Sequence, residues 1–275
     1  MRDTTMPAKS VNGAAKSAFN QLAEDYDHSF SHTMLGQYYR ERVQQQMLAV
    51  WPTDKDILEI NAGTGEDAMF LAAQGNRVLA TDLSAQMVAQ IEQKAIAGQQ
   101  GQRICCQQLA IEQLNSLQGQ HFDGILSNFG GLNCVDDIDR FINDADALLK
   151  PGGILILTLM GRWVPWEWAY FACHGQFGKA SRRLSGKAQW RQQTIYYPRM
   201  SSLKRQLKRR FWPLHHEGLG ILMPPSYVND TVKRYPRLFQ ALGAVEKQLA
   251  DWPGLAHLAD HYLLVYQKKQ KKAAK

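Results

Sequence analysis

The sequence contains no apolar run that approaches the roughly 20 residues needed to cross a bilayer, and Met1–Thr5 lacks the apolar stretch of a secretory signal. Both absences predict a cytoplasmic protein without a membrane span. Cysteine is scarce, and the four cysteines include an adjacent pair, Cys105 and Cys106, but no Cys-x-x-Cys spacing. This pattern predicts neither a disulfide framework nor a metal site, and the four side chains are expected to be small and buried.

Acidic residues are missing from one long stretch of the chain. No Asp or Glu occurs between Glu167 and Glu217, and the eleven Lys or Arg residues of this stretch, at 179–210, should produce a positive field. Three hypotheses are open: a solvated helix face, a surface that attracts an anionic small molecule or an acidic carrier protein, and an RNA-binding surface. A second group of positive charges lies near the end of the chain, where five lysines contribute +5 to the formal net charge of +7: Lys268, Lys269, Lys271, Lys272, Lys275.

Short apolar segments alternate with amphipathic helical patterns through the middle of the chain. The apolar segments, each short enough for one strand, are 57–60, 78–81, 104–106, 122–127 and 154–159. Five strand–helix units in succession predict an α/β fold built on a doubly wound parallel sheet. A further apolar segment near the end predicts a last strand.

The same pattern predicts one domain with terminal extensions. The expected parts, in chain order, are a disordered leader (1–14), a single domain (15–268) and a basic tail (269–275). Within the domain we expect N-terminal helices (15–50), a cofactor-binding core (55–160), a substrate cap inserted after strand five (161–235), and a last helix and strand (236–268).

A glycine-rich loop joins the first predicted strand to the next helix. Gly63 and Gly65 let the backbone turn tightly and approach a ligand, and the helix N-terminus behind them presents free N–H groups. Asp82 ends the second strand, where a carboxylate can accept hydrogen bonds from both ribose hydroxyls. Glu59, ahead of the loop, would repel a pyrophosphate but suits a ligand with an ammonium and a sulfonium. The residues therefore favour S-adenosylmethionine over a dinucleotide.

Six segments, in their order and spacing, resemble motifs of the class I S-adenosylmethionine-dependent methyltransferases of small-molecule type. They are FNQLAEDYD (19–27), ILEINAGTG (57–65), VLATDLSAQM (78–87), LAIEQL (109–114), SNFGGL (127–132) and LLKPGG (148–153). The resemblance implies a seven-stranded Rossmann-like sheet with helices on both faces and an antiparallel last strand. It also implies S-adenosylmethionine as cofactor, with S-adenosylhomocysteine as product.

The resemblance further implies a role for each matching residue. Glu59 would neutralise the methionine ammonium of the cofactor, Asp82 would bind the ribose, and Tyr26 would cover the carboxylate end. The other expected contacts come from the glycine loop, the adenine pocket and the surroundings of the methyl group: Asn61, Ala62, Gly63, Thr64, Gly65, Leu83, Met87, Ala110, Ile111, Asn128, Phe129. Two positions depart from the family. Asn61 replaces a usual glycine, so its side chain must point away or contact the ligand, and Ala110 replaces a frequent Asp.

The sequence does not identify the methyl acceptor. We expect a small molecule, anionic, aromatic or lipid-like, that is methylated on O, N or C beneath an aromatic, basic cap. An RNA methyltransferase is the alternative, although nucleic acid is disfavoured as a partner because no Pro-Cys nucleophile motif follows strand four. A protein that binds S-adenosylmethionine without catalysis is the hypothesis from another class. The oligomeric state and the catalytic residue stay open, and the candidate bases are His174, His215, His216, Tyr196 and Tyr197.

Overall fold

The computed structural model describes residues 31, 33–191, 193–225, 228–252 and 254–270. The predicted leader, Tyr26 and the part of the basic tail after Gln270 lie outside the described residues.

Seven strands form the central sheet: β1 (Asp56–Ile60), β2 (Arg77–Asp82), β3 (Ile104–Gln108), β4 (Phe122–Ser127), β5 (Leu149–Met160), β8 (Phe211–Leu219) and β9 (His261–Lys268). Their spatial order is β3-β2-β1-β4-β5-β9-β8. The strands β1 to β5 run parallel to one another, whereas β9 is antiparallel to both β5 and β8. The predicted seven-stranded sheet with an antiparallel last strand is confirmed.

The sequence between these strands is mostly helical. Side-chain caps start several helices, and the predicted cap Ser84 accepts a hydrogen bond from the Met87 N–H, 3.2 Å away. The helices of the described residues are α1 (Met34–Val50), α2 (Glu66–Ala73), α3 (Ala85–Ala97), α4 (Ile138–Leu148), α5 (Pro165–Cys173), α6 (Phe177–Ala180), α7 (Met200–Leu207), α8 (Asn229–Arg234) and α9 (Pro236–Leu249). Short 3-10 helices occur at Ile111–Leu117, Gly131–Cys134 and Leu255–Leu258.

The hydrophobic core has two layers, one on each face of the sheet. Strand β5 contributes to both, because Leu155 and Leu157 belong to one cluster and Ile154 and Ile156 to the other. Successive side chains of a strand point to opposite faces, so a central strand covered on both sides is apolar throughout. Gly124 on β4 leaves the space that the buried Trp51 ring fills, since a Cβ at this glycine would overlap the ring.

The segment expected to form the cap, 161–235, is divided between two parts of the fold. Residues 161–207 leave the sheet and form α5, α6, a hairpin of β6 (Lys187–Trp190) and β7 (Gln193–Tyr196), and α7. Strand β8, in contrast, pairs with β9 in the main sheet, and Phe211 packs into the core. The expected cap is therefore too long, because the pairing with β9 places β8 in the sheet.

The environment of the cysteines also differs from expectation. All four are free, but Cys105 and Cys173 are exposed, and Cys106 and Cys134 are only partly buried. The prediction of four buried cysteines is therefore wrong. Cys105 is exposed because it lies on β3, an edge strand of the sheet. The described residues contain no helix long and apolar enough to span a bilayer.

Candidate functional site

A cavity of about 550 Å³ lies at the carboxyl edge of the parallel strands. Its walls come from the loop after β1, the end of β2, the segment after β3, the loop after β4 and the hairpin β6–β7. Strands β1 and β4 are neighbours, and the chain leaves them towards opposite edges of the sheet. This is the position at which open α/β sheets bind their ligands.

Most of the expected site residues line this cavity. Twelve of the fourteen do so: Glu59, Asn61, Ala62, Gly63, Thr64, Asp82, Leu83, Met87, Ala110, Ile111, Asn128 and Phe129. Gly65 does not line the cavity; instead, it allows the backbone turn and the close packing at the start of α2. Its φ of 81° turns the chain into α2, and a Cβ there would lie 2.9 Å from the Ile91 side chain. The position of Tyr26 is outside the described residues.

The carboxyl group of Glu59 is buried and only partly hydrogen-bonded. The residue is 2% exposed, and it accepts a hydrogen bond from the Ala68 backbone N–H. Among the described residues, its Oε2 has no hydrogen-bond partner. Burial, with the nearby Asp67 carboxylate, holds the pKa of Glu59 well above its usual range. A cationic ligand group in the cavity would supply the missing partner, so Glu59 fits an ammonium.

Arg40 lies beside this carboxylate and was missed by the sequence analysis. It extends from α1, forms a 2.7 Å ion pair with Asp67, and has its guanidinium 5.3 Å from the centre of the Phe129 ring. Asp67 also accepts a hydrogen bond from the Asn128 side chain, 2.8 Å away. The cavity wall therefore presents a cation next to the Glu59 carboxylate, which is complementary to the amino and carboxyl groups of an amino acid.

Asp82 is held in place by the backbone N–H groups of Gly63, Leu83 and Ser84. Its Oδ2 accepts from the Gly63 N–H at 2.9 Å, and its Oδ1 accepts from the Ser84 N–H at 2.8 Å. Burial raises the pKa of Asp82 to about 6. A carboxylate has about four lone-pair sites, so Asp82 keeps lone-pair capacity for hydroxyl protons of a ligand.

The side chain of Asn61 links two loops of the site. Its Nδ2 donates to the Asn128 carbonyl at 2.9 Å, and its Oδ1 accepts from the Ser127 hydroxyl at 2.6 Å. Asn61 has a left-handed φ of 52°, which asparagine tolerates better than most residues. A Cβ at Gly131 would overlap the Asn61 side chain. The departure from the family glycine therefore ties the loop after β1 to the loop after β4.

The cap half of the cavity is aromatic, and its cations are paired. Trp190, Ile195 and Tyr197 line it together with Arg182 and Arg183. Arg183 forms ion pairs of 2.7 Å with Glu167 and 2.9 Å with Asp260, and Arg182 lies 2.8 Å from Glu167. The two positive charges thus face two carboxylates, and this half of the cavity has no large excess charge from these residues.

Of the five candidate bases, Tyr197 alone lines the cavity. His174 contacts the Tyr170 carbonyl, and His215 lies 3.1 Å from Glu217, which also binds Arg42. His261, which is not among the predicted site residues, lines the cavity beside Phe129, with ring centres 5.9 Å apart. Its one sequence signal is its position directly before the last apolar segment, at the edge where ligands bind.

Comparisons with known proteins agree with this geometry. Residues 57–153 match the model of a methyltransferase domain family. The putative methyltransferase YqeM of Bacillus subtilis (strain 168) is 28% identical over 144 residues, which cover 51% of this chain and 55% of YqeM. The match therefore spans about half the length of that relative.

Solved structures share the fold at low identity. The 4+2 cyclase SpnF superimposes with a TM-score of 0.64 at 15% identity, over 97% of this chain and 99% of SpnF. A Burkholderia thailandensis 1,6-didemethyltoxoflavin-N1-methyltransferase, solved with its substrate and S-adenosylhomocysteine, gives 0.61 at 16% identity, over 98% and 94%. The family match covers the glycine loop, Asp82 and the strands that carry them. Residues 57–153 therefore match a methyltransferase domain, and the described residues share their fold with solved methyltransferases.

Proposed function

We propose that this chain transfers the methyl group of S-adenosylmethionine to a small-molecule acceptor bound in the cap half of the cavity. One observation carries the proposal: a single cavity is lined both by the glycine loop with Asp82 and by the aromatic hairpin β6–β7. Two ligands in one cavity can be held in the alignment that methyl transfer requires, and such alignment supplies much of the rate acceleration.

The cofactor half supports a role for each of its groups. Glu59 would bind the ammonium through its unpaired oxygen, and Arg40 the carboxylate. Asp82 would accept the ribose hydroxyls. The adenine would lie among Leu83, Met87, Ala110 and Ile111. Ala62, Gly63 and Thr64 would lie along the methionine part of the cofactor. Asn61, Asn128 and Phe129 would lie near the methyl group. When bound, S-adenosylmethionine supplies an electrophilic methyl group. The role of Tyr26 over the carboxylate end stays a prediction.

The placement of the basic residues supports a small acceptor over RNA. The cations of α7 and the turn after it do not line the cavity, and most are exposed: Lys204, Arg205, Lys208, Arg209, Arg210. Arg210 pairs with Asp146 at 3.0 Å. This favours a solvated helix face for this part of the basic segment. The toxoflavin enzyme, whose substrate is a small molecule, has the same fold.

Methyl transfer from radiolabelled S-adenosylmethionine to a fractionated cell extract tests the proposal. We expect label in the small-molecule fraction and none in RNA. Label in RNA would replace the proposal by the RNA alternative. Calorimetric binding of the cofactor without label in any fraction would favour a non-catalytic binding protein, and preference for NADH would overturn the cofactor site itself.

The affinity for S-adenosylhomocysteine should fall as the pH is lowered through about 6. Asp82 binds the ribose hydroxyls in its ionised form. Because its pKa is about 6, Asp82 is mostly protonated in the free protein at a pH below 6, and it must lose this proton before the ligand binds. Linkage then predicts up to a tenfold loss per pH unit. Calorimetry between about pH 5 and pH 8 measures it, with Asp82→Asn expected to flatten the curve. Glu59→Gln is the matched control, since a curve flattened by this variant alone would assign the effect to Glu59.

A further inference from the structure

We propose that His261 is the general base of this methyltransferase and that the acceptor carries a phenolic hydroxyl, which is methylated on oxygen. The inference rests on the proposed function, because it requires an acceptor in the cap half of the cavity.

The position of His261 is set by the sheet. It is the first residue of β9 and is paired in register with Met160, the last residue of β5, so its ring lies at the carboxyl edge. The residue is 8% exposed and lines the cavity. Its Nδ1 lies 3.2 Å from Asp260 Oδ2. Nδ1 is buried and has no hydrogen-bond partner among the described residues, so the proton transfer is assigned to Nε2.

A carboxylate lies directly beside the imidazole ring. Asp260 is kept ionised, because Arg183 and His261 hold the pKa of that carboxyl below its usual range. Its negative charge can balance an imidazolium, as the carboxylate does in other His–Asp pairs. The remaining titratable or charged groups near the ring come from other elements: Arg183 at 2.9 Å from Asp260, Glu167 paired with Arg183, the buried Tyr39 with ring centres 5.8 Å apart, and Arg40 over the Phe129 ring.

The chemistry of the acceptor follows from the walls of the cap half. Trp190, Ile195 and Tyr197 offer apolar and aromatic surface, and the two arginines there already have carboxylate partners. These walls favour an uncharged aromatic molecule. A neutral phenol is a weak nucleophile until its hydroxyl loses a proton, and a histidine side chain within reach can accept that proton.

The step balances without a further reagent. As the phenol oxygen forms a bond to the methyl carbon, its proton passes to Nε2 of His261. The carbon–sulfur bond breaks, and its electron pair stays on sulfur. The products are an aryl methyl ether, S-adenosylhomocysteine and an imidazolium, which then releases its proton to solvent.

Binding of 4-nitrophenol to the protein saturated with S-adenosylhomocysteine tests this inference, because the ionised form of this probe is yellow. At a slightly acidic pH we expect bound probe to be more ionised than free probe, and His261→Gln to abolish the increase. The affinity of this variant for S-adenosylhomocysteine should stay within about twofold of wild type. Once a phenolic acceptor is identified, the turnover number of His261→Gln with this acceptor should be about 10²–10⁴-fold below that of wild type.

Each other outcome has a distinct meaning. Failure of wild type to bind S-adenosylhomocysteine would remove the proposed function. Cofactor binding without probe binding would overturn the phenolic acceptor, and ionisation that persists in His261→Gln would overturn the base. If Tyr197→Phe abolished the ionisation of the bound probe and His261→Gln did not, Tyr197 would be the general base. If His261→Gln does not fold, His261→Asn provides the same readout.

Discussion

Alanine at position 82 is expected to lower the affinity for S-adenosylhomocysteine by about 100-fold or more. Asp82 holds the Gly63 and Ser84 N–H groups and is proposed to hold the ribose. Hydrogen bonds to a charged group contribute about 1.5–3 kcal/mol each, so the loss of two ligand bonds alone predicts at least this change. Calorimetric titration of the purified variant measures it.

Two controls separate the lost contact from a general disturbance. Asp56→Ala removes a carboxylate at the other end of β1 that pairs with Arg77 at the surface, and the affinity should not change. Asp82→Asn keeps one oxygen acceptor and should lose less than alanine does. An affinity for Asp82→Ala within a few-fold of wild type would show that the ribose is bound elsewhere.

Replacement of Arg183 by alanine is expected to lower the free energy of unfolding by about 3–5 kcal/mol. Its side chain is 7% exposed and lies between the carboxylates of Glu167 and Asp260, which are 1% and 5% exposed. Removal of one partner from a buried ion pair leaves uncompensated charge in the interior and has a cost of this size. Chemical denaturation with urea gives the value.

The adjacent arginine provides the matched control. Arg182 also pairs with Glu167, but 36% of its side chain is exposed. Exposed ion pairs contribute about 0–1 kcal/mol, so Arg182→Ala should be nearly neutral. Similar losses in both variants would contradict the argument from burial. Arg183→Ala combined with Asp260→Asn should recover part of the stability, since the buried carboxylate that loses its arginine partner is then neutral.

The parts of the site that the sequence predicts are those that lie next to one another along the chain. Glu59, the glycine loop and Asp82 follow the ends of β1 and β2, and strand ends in a repeated strand–helix pattern are recognisable from periodicity. Neighbouring parallel strands then place these residues at one edge of the sheet. The same logic placed Asn128 and Phe129 after β4.

Arg40, Arg183 and His261 could not be placed in this way. They come from α1, the cap and β9, and they meet through tertiary packing. Helical spacing does not distinguish Arg40, which faces the cavity, from Arg42, which pairs with Glu217. The cap was predicted too long for a related reason, because the sequence of β8 contains Pro213 and polar residues and does not show which sheet it joins.

The link between Asn61 and the loop after β4 has a consequence for the order of events at the site. The two hydrogen bonds of Asn61 and the close fit against Gly131 join the cofactor loop to the loop that carries Phe129. The two loops should therefore shift as one body. A cofactor that orders the glycine loop therefore also orders the loop after β4, which forms part of the wall of the acceptor site. This favours ordered binding in which the cofactor binds first.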